Sequence, residues 1–215
     1  MASFKEFKKS RKENSEFFSK IFSNKISPYF SFVFIRLGIK PNSITLLMIP
    51  SAIIGGVLIN FNNFYSKLFG IILLLSINIW DTSDGEVARF TKVFSKNGKF
   101  LDLFSQFIAD NIFFISCFFY FNESNLILLS CIIYNVYIYT KRIQIEKLDL
   151  KKNKTNPIIE ILKTIGSNNF LFHTFFLLFL FEDTDFQYLA FLLYWSFFTF
   201  IIFLKIIFLL KKSFS

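Results

Sequence analysis

Three aspartates, Asp81, Asp84 and Asp102, stand between long Phe, Ile and Leu runs, and a fourth, Asp110, follows eight residues after the last of them. Carboxylates at the edge of an apolar medium are costly unless compensated, which makes them functional candidates with a partner to be found. Hard divalent cations are such partners, because they take oxygen ligands and neutralise clustered negative charge. If Asp81 to Ala88 is helical, then Asp81, Asp84, Gly85 and Ala88 recur at i, i+3, i+4 and i+7 and share one face. That face pairs two carboxylates with two small residues, which leave a ligand room to approach the backbone. Asp102 would complete an oxygen cage from the next helix, and Gly98 lies in the turn between them.

The elements that must position these residues follow from the apolar runs. The chain of 215 residues is 53% hydrophobic and 21% aromatic, and its apolar runs approach bilayer length. These features predict an all-α, polytopic membrane protein with six transmembrane helices at about 41–61, 64–80, 100–121, 126–139, 170–181 and 188–210. Pro41, Asn42 and Ser43 suit a helix start. Trp80 suits a membrane interface. The second run feeds directly into Asp81, and the third carries Asp102, Gln106 and Asp110 at four-residue steps, so the two polar ends meet on one side. Residues 1–40 form a predicted N-terminal cytoplasmic and interfacial segment, and 41–212 the six-helix membrane catalytic domain.

Within the first segment, Phe18, Ile21, Phe22, Ile26, Tyr29 and Phe30 recur at helical spacing, which predicts an amphipathic helix lying in the interface. No apolar core follows closely behind the basic N-terminal residues, so no signal peptide is read there and the segment is expected to remain.

The net charge of +9 is distributed by side. With six spans, Arg89, Lys92, Lys96, Lys99, the run from Lys141 and Arg142 to Lys154, and Lys211 and Lys212 share one side with the motif. Lys67, Glu123, Glu182, Asp183 and Asp185 fall on the other. By the positive-inside rule the motif side is cytoplasmic. The basic run from Lys147 to Lys154 is expected to face anionic lipid headgroups, and no nucleic-acid partner is expected. Cys117 and Cys131 lie inside apolar segments without metal-ligand spacing and read as small hydrophobes rather than a disulfide. His173, alone on an aromatic-rich run, reads as a packed histidine.

The spacing D-x2-D-G-x2-A-R-x8-G-x3-D-x3-D resembles the signature of the CDP-alcohol phosphotransferases (CDP-alcohol phosphatidyltransferases). Asp81, Asp84, Gly85, Ala88, Arg89, Gly98 and Asp102 match it, while Gln106 stands at the position of the fourth aspartate. Pro41, Asn42 and Thr45 also resemble the start of that family's first membrane helix. The resemblance implies an integral, multi-pass membrane transferase of phospholipid synthesis with its active site facing the cytoplasm. It would pass a substituted phosphate from a CDP-alcohol, CDP-diacylglycerol foremost, to a small alcohol or lipid acceptor with release of CMP. It also implies Mg2+ or Mn2+, two ions, held by Asp81, Asp84 and Asp102, and a nucleotide site shaped by Gly85, Ala88, Arg89 and Gly98. Membrane lipids are the surroundings, and a homodimer is one assembly it suggests.

Gln106 takes the position from which the family's fourth aspartate binds metal and is proposed to remove the alcohol's proton. An amide is no general base at neutral pH, yet it can coordinate through its carbonyl or hydrogen-bond an alcohol. Three readings stay open: an inactivating change that leaves a CDP-binding relative, a branch with another base, or a metal-activated alcohol that needs none. Asp110, one turn further on, is the nearest substitute. A small cation transporter lined by the same carboxylates is the alternative from another class.

Overall fold

The computed structural model describes residues 4–11, 22–121, 125–147 and 184–213, and every regular element among them is an α-helix. The chain divides into two compact units, Met1–Ser116 and Cys117–Ser215.

In the first unit, α1 (Phe4–Ser10) and α2 (Ser23–Arg36) precede α3 (Pro41–Leu46), α4 (Met48–Leu58), α5 (Phe64–Thr91) and the start of α6 (Gly98–Tyr120). Lys40 is extended and Pro41 opens α3, where a missing N–H costs nothing and the fixed φ is already helical. The predicted first span is helical but interrupted at Leu47. Pro50 explains the break: it cannot donate to the Leu46 carbonyl four residues back, and its ring crowds that oxygen. Helices α3 and α4 together reach membrane-spanning length over Pro41–Leu58.

Helix α5 is capped by Asn63, whose side chain accepts the Tyr65 N–H at 2.9 Å, and ends at Lys92 in the left-handed conformation with φ 55°. Its 28 residues make it about 42 Å long, well beyond a hydrocarbon core of about 30 Å. A helix that fills the apolar layer from its Phe64 end therefore carries its last turns, with Asp84 to Arg89, out toward the polar boundary. As the direct run from Trp80 into Asp81 suggested, span and motif are one helix.

Backbones meet where α4 crosses α5. A Cβ on Gly70 would lie 2.8 Å from the Gly55 carbonyl oxygen, and one on Gly55 would lie 2.9 Å from that of Gly70. Only glycine permits this approach. Gly70→Val is accordingly expected to force α4 from α5 and destabilise the protein by about 1–3 kcal/mol, read as a lower thermal midpoint in detergent. Exposed apolar side chains such as Ile53, Val57, Phe69, Ile72, Phe104 and Ile115 cover the outer faces, as suits helices surrounded by lipid.

Helix α2 is two-faced, with its polar stripe turned toward the protein. It packs along α5, and its buried residues are Ser23, Asn24, Ser27, Pro28, Ser31 and Phe34, while Tyr29, Phe30, Val33 and Leu37 lie exposed. The polar stripe turns inward because a buried carboxylate on α5 needs donors. Phe18 and Ile21 lie outside the described residues. Trp80 is half-buried, donating its indole N–H to Ser51 Oγ at 3.0 Å and packing against Phe30 and Phe34.

In the second unit, α7 (Asn125–Lys147) packs against α8 (Thr184–Ser213). Ser130 and Thr199 hydroxyls lie 2.8 Å apart, Phe198 packs on Tyr134, and the Lys205 ammonium sits 5.6 Å from the Tyr137 ring centroid. Cys117 and Cys131 are free thiols.

Of the six predicted spans, three are helices long and apolar enough to cross a membrane: Pro41–Leu58, Phe64–Thr91 and Gly98–Tyr120. The fourth and sixth correspond to shorter apolar stretches, Asn125–Ile138 and Leu193–Ile207. The fifth, with His173, falls outside the described residues, so six is not the number established.

Candidate active site

The polar end of α5 is helical throughout, so Asp81, Asp84, Gly85 and Ala88 do share one face, and all four are half-buried. Arg89 is exposed, and its guanidinium folds back over Gly85, where a Cβ would meet Nη1 at 3.1 Å. Glycine at that position therefore makes room for the arginine as well as for a ligand. From this place Arg89 attracts the Asp84 carboxylate.

Asp84 has three further neighbours. Thr45 Oγ1, which also reaches the Pro41 carbonyl at 3.2 Å, donates to Asp84 Oδ2, and the Gly85 N–H donates to the same carboxylate. The start of α3 is thereby tied to the motif. Asp102, on α6, is close enough to repel Asp84. The Asn42 side chain reaches Gly98 at the start of α6, its Oδ1 lying 3.7 Å from where a Cβ would stand. The Pro-Asn-x-x-Thr start of α3 thus touches both helices that carry the motif.

The structure brings Asp84 and Asp102 together from two helices, with Arg89 and Gly85 beside them. Among the described residues no three Asp, Glu, His or Cys side chains converge closely enough to hold a metal ion, so Asp81 does not join the pair in a compact triad. Whether a divalent cation fits can still be judged from the donors. Two facing carboxylates in a partly desolvated place repel, are hard oxygen ligands, and are relieved by a cation. Ser105, one residue before Gln106 and on the face of α6 that carries Asp102, has a fully buried hydroxyl with no hydrogen-bond partner. Buried polar groups are ordinarily satisfied, so an unsatisfied one three residues along the helix from Asp102 fits a site completed by a ligand. The fit extends to two carboxylates.

Gln106 is half-buried on α6, one turn past Asp102, and Asp110 is buried one turn beyond it. Eight residues of helix set Asp110 about 12 Å along the axis from Asp102, too far to replace Gln106 without a shift.

The roles of Thr45 and Glu86 were not anticipated. Thr45 stood in a short pattern weak by itself, and only the fold reveals that it serves Asp84. Glu86 lies inside the motif between Gly85 and Ala88 yet faces away from it, fully buried. A glutamate in an apolar helix and two serines four apart in an aromatic one were the available signal.

The sequence profile described as CDP-alcohol phosphatidyltransferase matches residues 39–210, about four-fifths of the chain. No curated protein matches the chain.

Proposed function

The chain belongs to the CDP-alcohol phosphatidyltransferase family, and from that premise we propose that it transfers the phosphatidyl group of CDP-diacylglycerol to a small polar alcohol, releasing CMP. Phosphotransfer from a CDP-alcohol is the chemistry of the family; the donor, the direction and the residue roles are our reading. The observation that carries it is the pairing of Asp84 with Asp102 across α5 and α6, under an arginine held over glycine.

In the proposed reaction the alcohol oxygen bonds to the phosphorus distal to cytidine. The bond from that phosphorus to the bridging oxygen breaks, CMP keeps the electron pair, and the alcohol's proton is released. Asp84 and Asp102 would hold Mg2+ or Mn2+, which when bound would neutralise charge on the leaving phosphate. Arg89 offers its guanidinium to phosphate oxygens. Gly85 and Ala88 keep the face low enough for the nucleotide to lie on the backbone, and Gly98 does the same where α6 begins. Gln106 orients the alcohol by a hydrogen bond and leaves its proton to another acceptor. The basic residues flanking the motif support a cytoplasmic active site.

Thr45→Val removes a hydroxyl donor from Asp84 while preserving shape. Leaving an acceptor short by one partner costs about 1–3 kcal/mol, so CMP release is expected to fall about tenfold or more, with the protein still eluting as one species.

The donor is tested in liposomes containing the purified protein. CDP-diacylglycerol with a panel of water-soluble alcohols is compared with CDP-linked headgroups and diacylglycerol. CMP appearing in the first arm alone is expected; CMP in the second arm alone would reverse the assigned donor and acceptor.

A further inference from the structure

Glu86 lies about 200° around α5 from Asp84, on the back of the motif helix. Its carboxylate is enclosed by three side chains. Arg11 Nε donates to Oε1 at 2.7 Å, Ser27 Oγ to Oε1 at 3.0 Å and Ser31 Oγ to Oε2 at 2.7 Å. The Glu86 side chain is 0% exposed and that of Arg11 is 5% exposed.

The socket is built on both sides. Pro28 has no N–H for the Asn24 carbonyl four residues back, and Arg11 Nη2 donates to that oxygen at 3.0 Å. One guanidinium therefore satisfies both a carbonyl released by proline and a carboxylate buried on α5. Phe90, one turn beyond Glu86, meets the fully buried Phe7 of α1 edge to face, with ring centroids 5.5 Å apart. The N-terminal segment and α2 thus grip one strip of α5, opposite the face bearing Asp81, Asp84, Gly85 and Ala88.

We propose that Glu86 is a positioning residue: held from behind by Arg11, Ser27 and Ser31, it sets the rotation of α5 that presents Asp84 to Thr45 and Asp102. A buried carboxylate has few tolerable surroundings, and here one rotation of the helix gives it all three donors. Smooth apolar packing would leave that angle softer. The role rests on the proposed transferase reading only in what the aligned face is for.

The rotation can be read without turnover. Thr45→Cys and Asp84→Cys replace a hydrogen-bonded pair, and disulfide formation between them depends steeply on geometry. It is followed in the full chain in three backgrounds: otherwise unmodified, Arg11→Gln/Glu86→Gln, and Arg11→Leu/Glu86→Leu. The glutamine pair removes both charges and keeps the hydrogen-bonding shape, so cross-linking is expected at the unmodified rate. The leucine pair keeps apolar packing and removes the pin, so cross-linking is expected to slow several-fold, with Asp81→Cys in place of Asp84→Cys now reacting with Thr45→Cys.

Should the leucine pair fail to give a single folded species, Ser27→Ala/Ser31→Ala leaves the Arg11–Glu86 pair intact and is expected to slow cross-linking in the same sense. Unchanged cross-linking in folded leucine or alanine variants would overturn the proposal. Without the introduced cysteines, CMP release should follow the same order through kcat, since misplacing a reacting group by about 1 Å can cost about a hundredfold. Cross-linking that follows the order while no variant releases CMP would support the positioning role and count against the transferase reading alone.

Discussion

Asp84→Asn is expected to reduce CMP release by about a thousandfold or more while leaving the protein folded. The carboxylate receives Thr45 and the Gly85 N–H, faces the charge of Asp102 and is attracted by Arg89. Asparagine keeps a carbonyl oxygen for Thr45, so the tie to α3 survives. What disappears is the negative charge, and with it half of the pair proposed to hold the divalent ion. An ion contributes several kcal/mol of charge stabilisation to such a transfer, and each 1.36 kcal/mol is a factor of ten, so about three orders of magnitude are at stake. Removing one of two repelling carboxylates should leave the thermal midpoint equal or higher. Loss of activity without loss of stability distinguishes a functional carboxylate from a structural one. A rate within tenfold of the unmodified protein would remove Asp84 from the proposed chemistry.

The change with the largest expected gain is Gln106→Asp. Gln106 follows Asp102 by one turn on α6 and is half-buried, so an aspartate there would lie on the same stripe. It would add an acceptor for the alcohol's proton and another oxygen ligand for a cation. General-base assistance is commonly worth about 10²–10⁴ in rate, and CMP release is expected to rise by a factor in that range. A further carboxylate near Asp102 should also lower the concentration of divalent ion needed, because the cation gains an oxygen ligand and relieves the added repulsion. Measuring the rate against Mg2+ concentration separates the two effects. A fall in rate at saturating Mg2+ would show that the amide is the group this chain uses and that proton transfer is served elsewhere.

Much of the site was legible because its residues are bound to one another by helical spacing. Asp81, Asp84, Gly85 and Ala88 needed only a helix to share a face, and Asp102 needed only the next helix to return. The pairing of Asp84 with Asp102 follows from that. The closing of Asp81 onto them does not, since side-chain direction on a shared face still varies by several ångströms. Pro41 to Thr45 began a helix as expected, but its contact with Asp84 depends on how α3 lies against α5, which no local pattern encodes.

Glu86 was missed for a related reason. Its donors come from residues 11, 27 and 31, and a buried ion pair separated by 75 positions leaves no periodic trace. The same long-range pairing sets the inner face of α2: Ser27 and Ser31 were required inside, and no local pattern announced it. The count of spans was beyond the sequence because apolar length alone cannot separate a crossing helix from a shorter packed one, as Asn125–Ile138 and Leu193–Ile207 illustrate.

The most direct test is CMP release from CDP-diacylglycerol by the purified, unmodified protein in liposomes with Mg2+ or Mn2+ and mixed alcohols, beside Asp102→Asn. The account predicts release that requires the divalent ion and is absent from the variant. Equal release by both proteins, or no release together with a cation flux that needs Asp84 and no CDP compound, would contradict it.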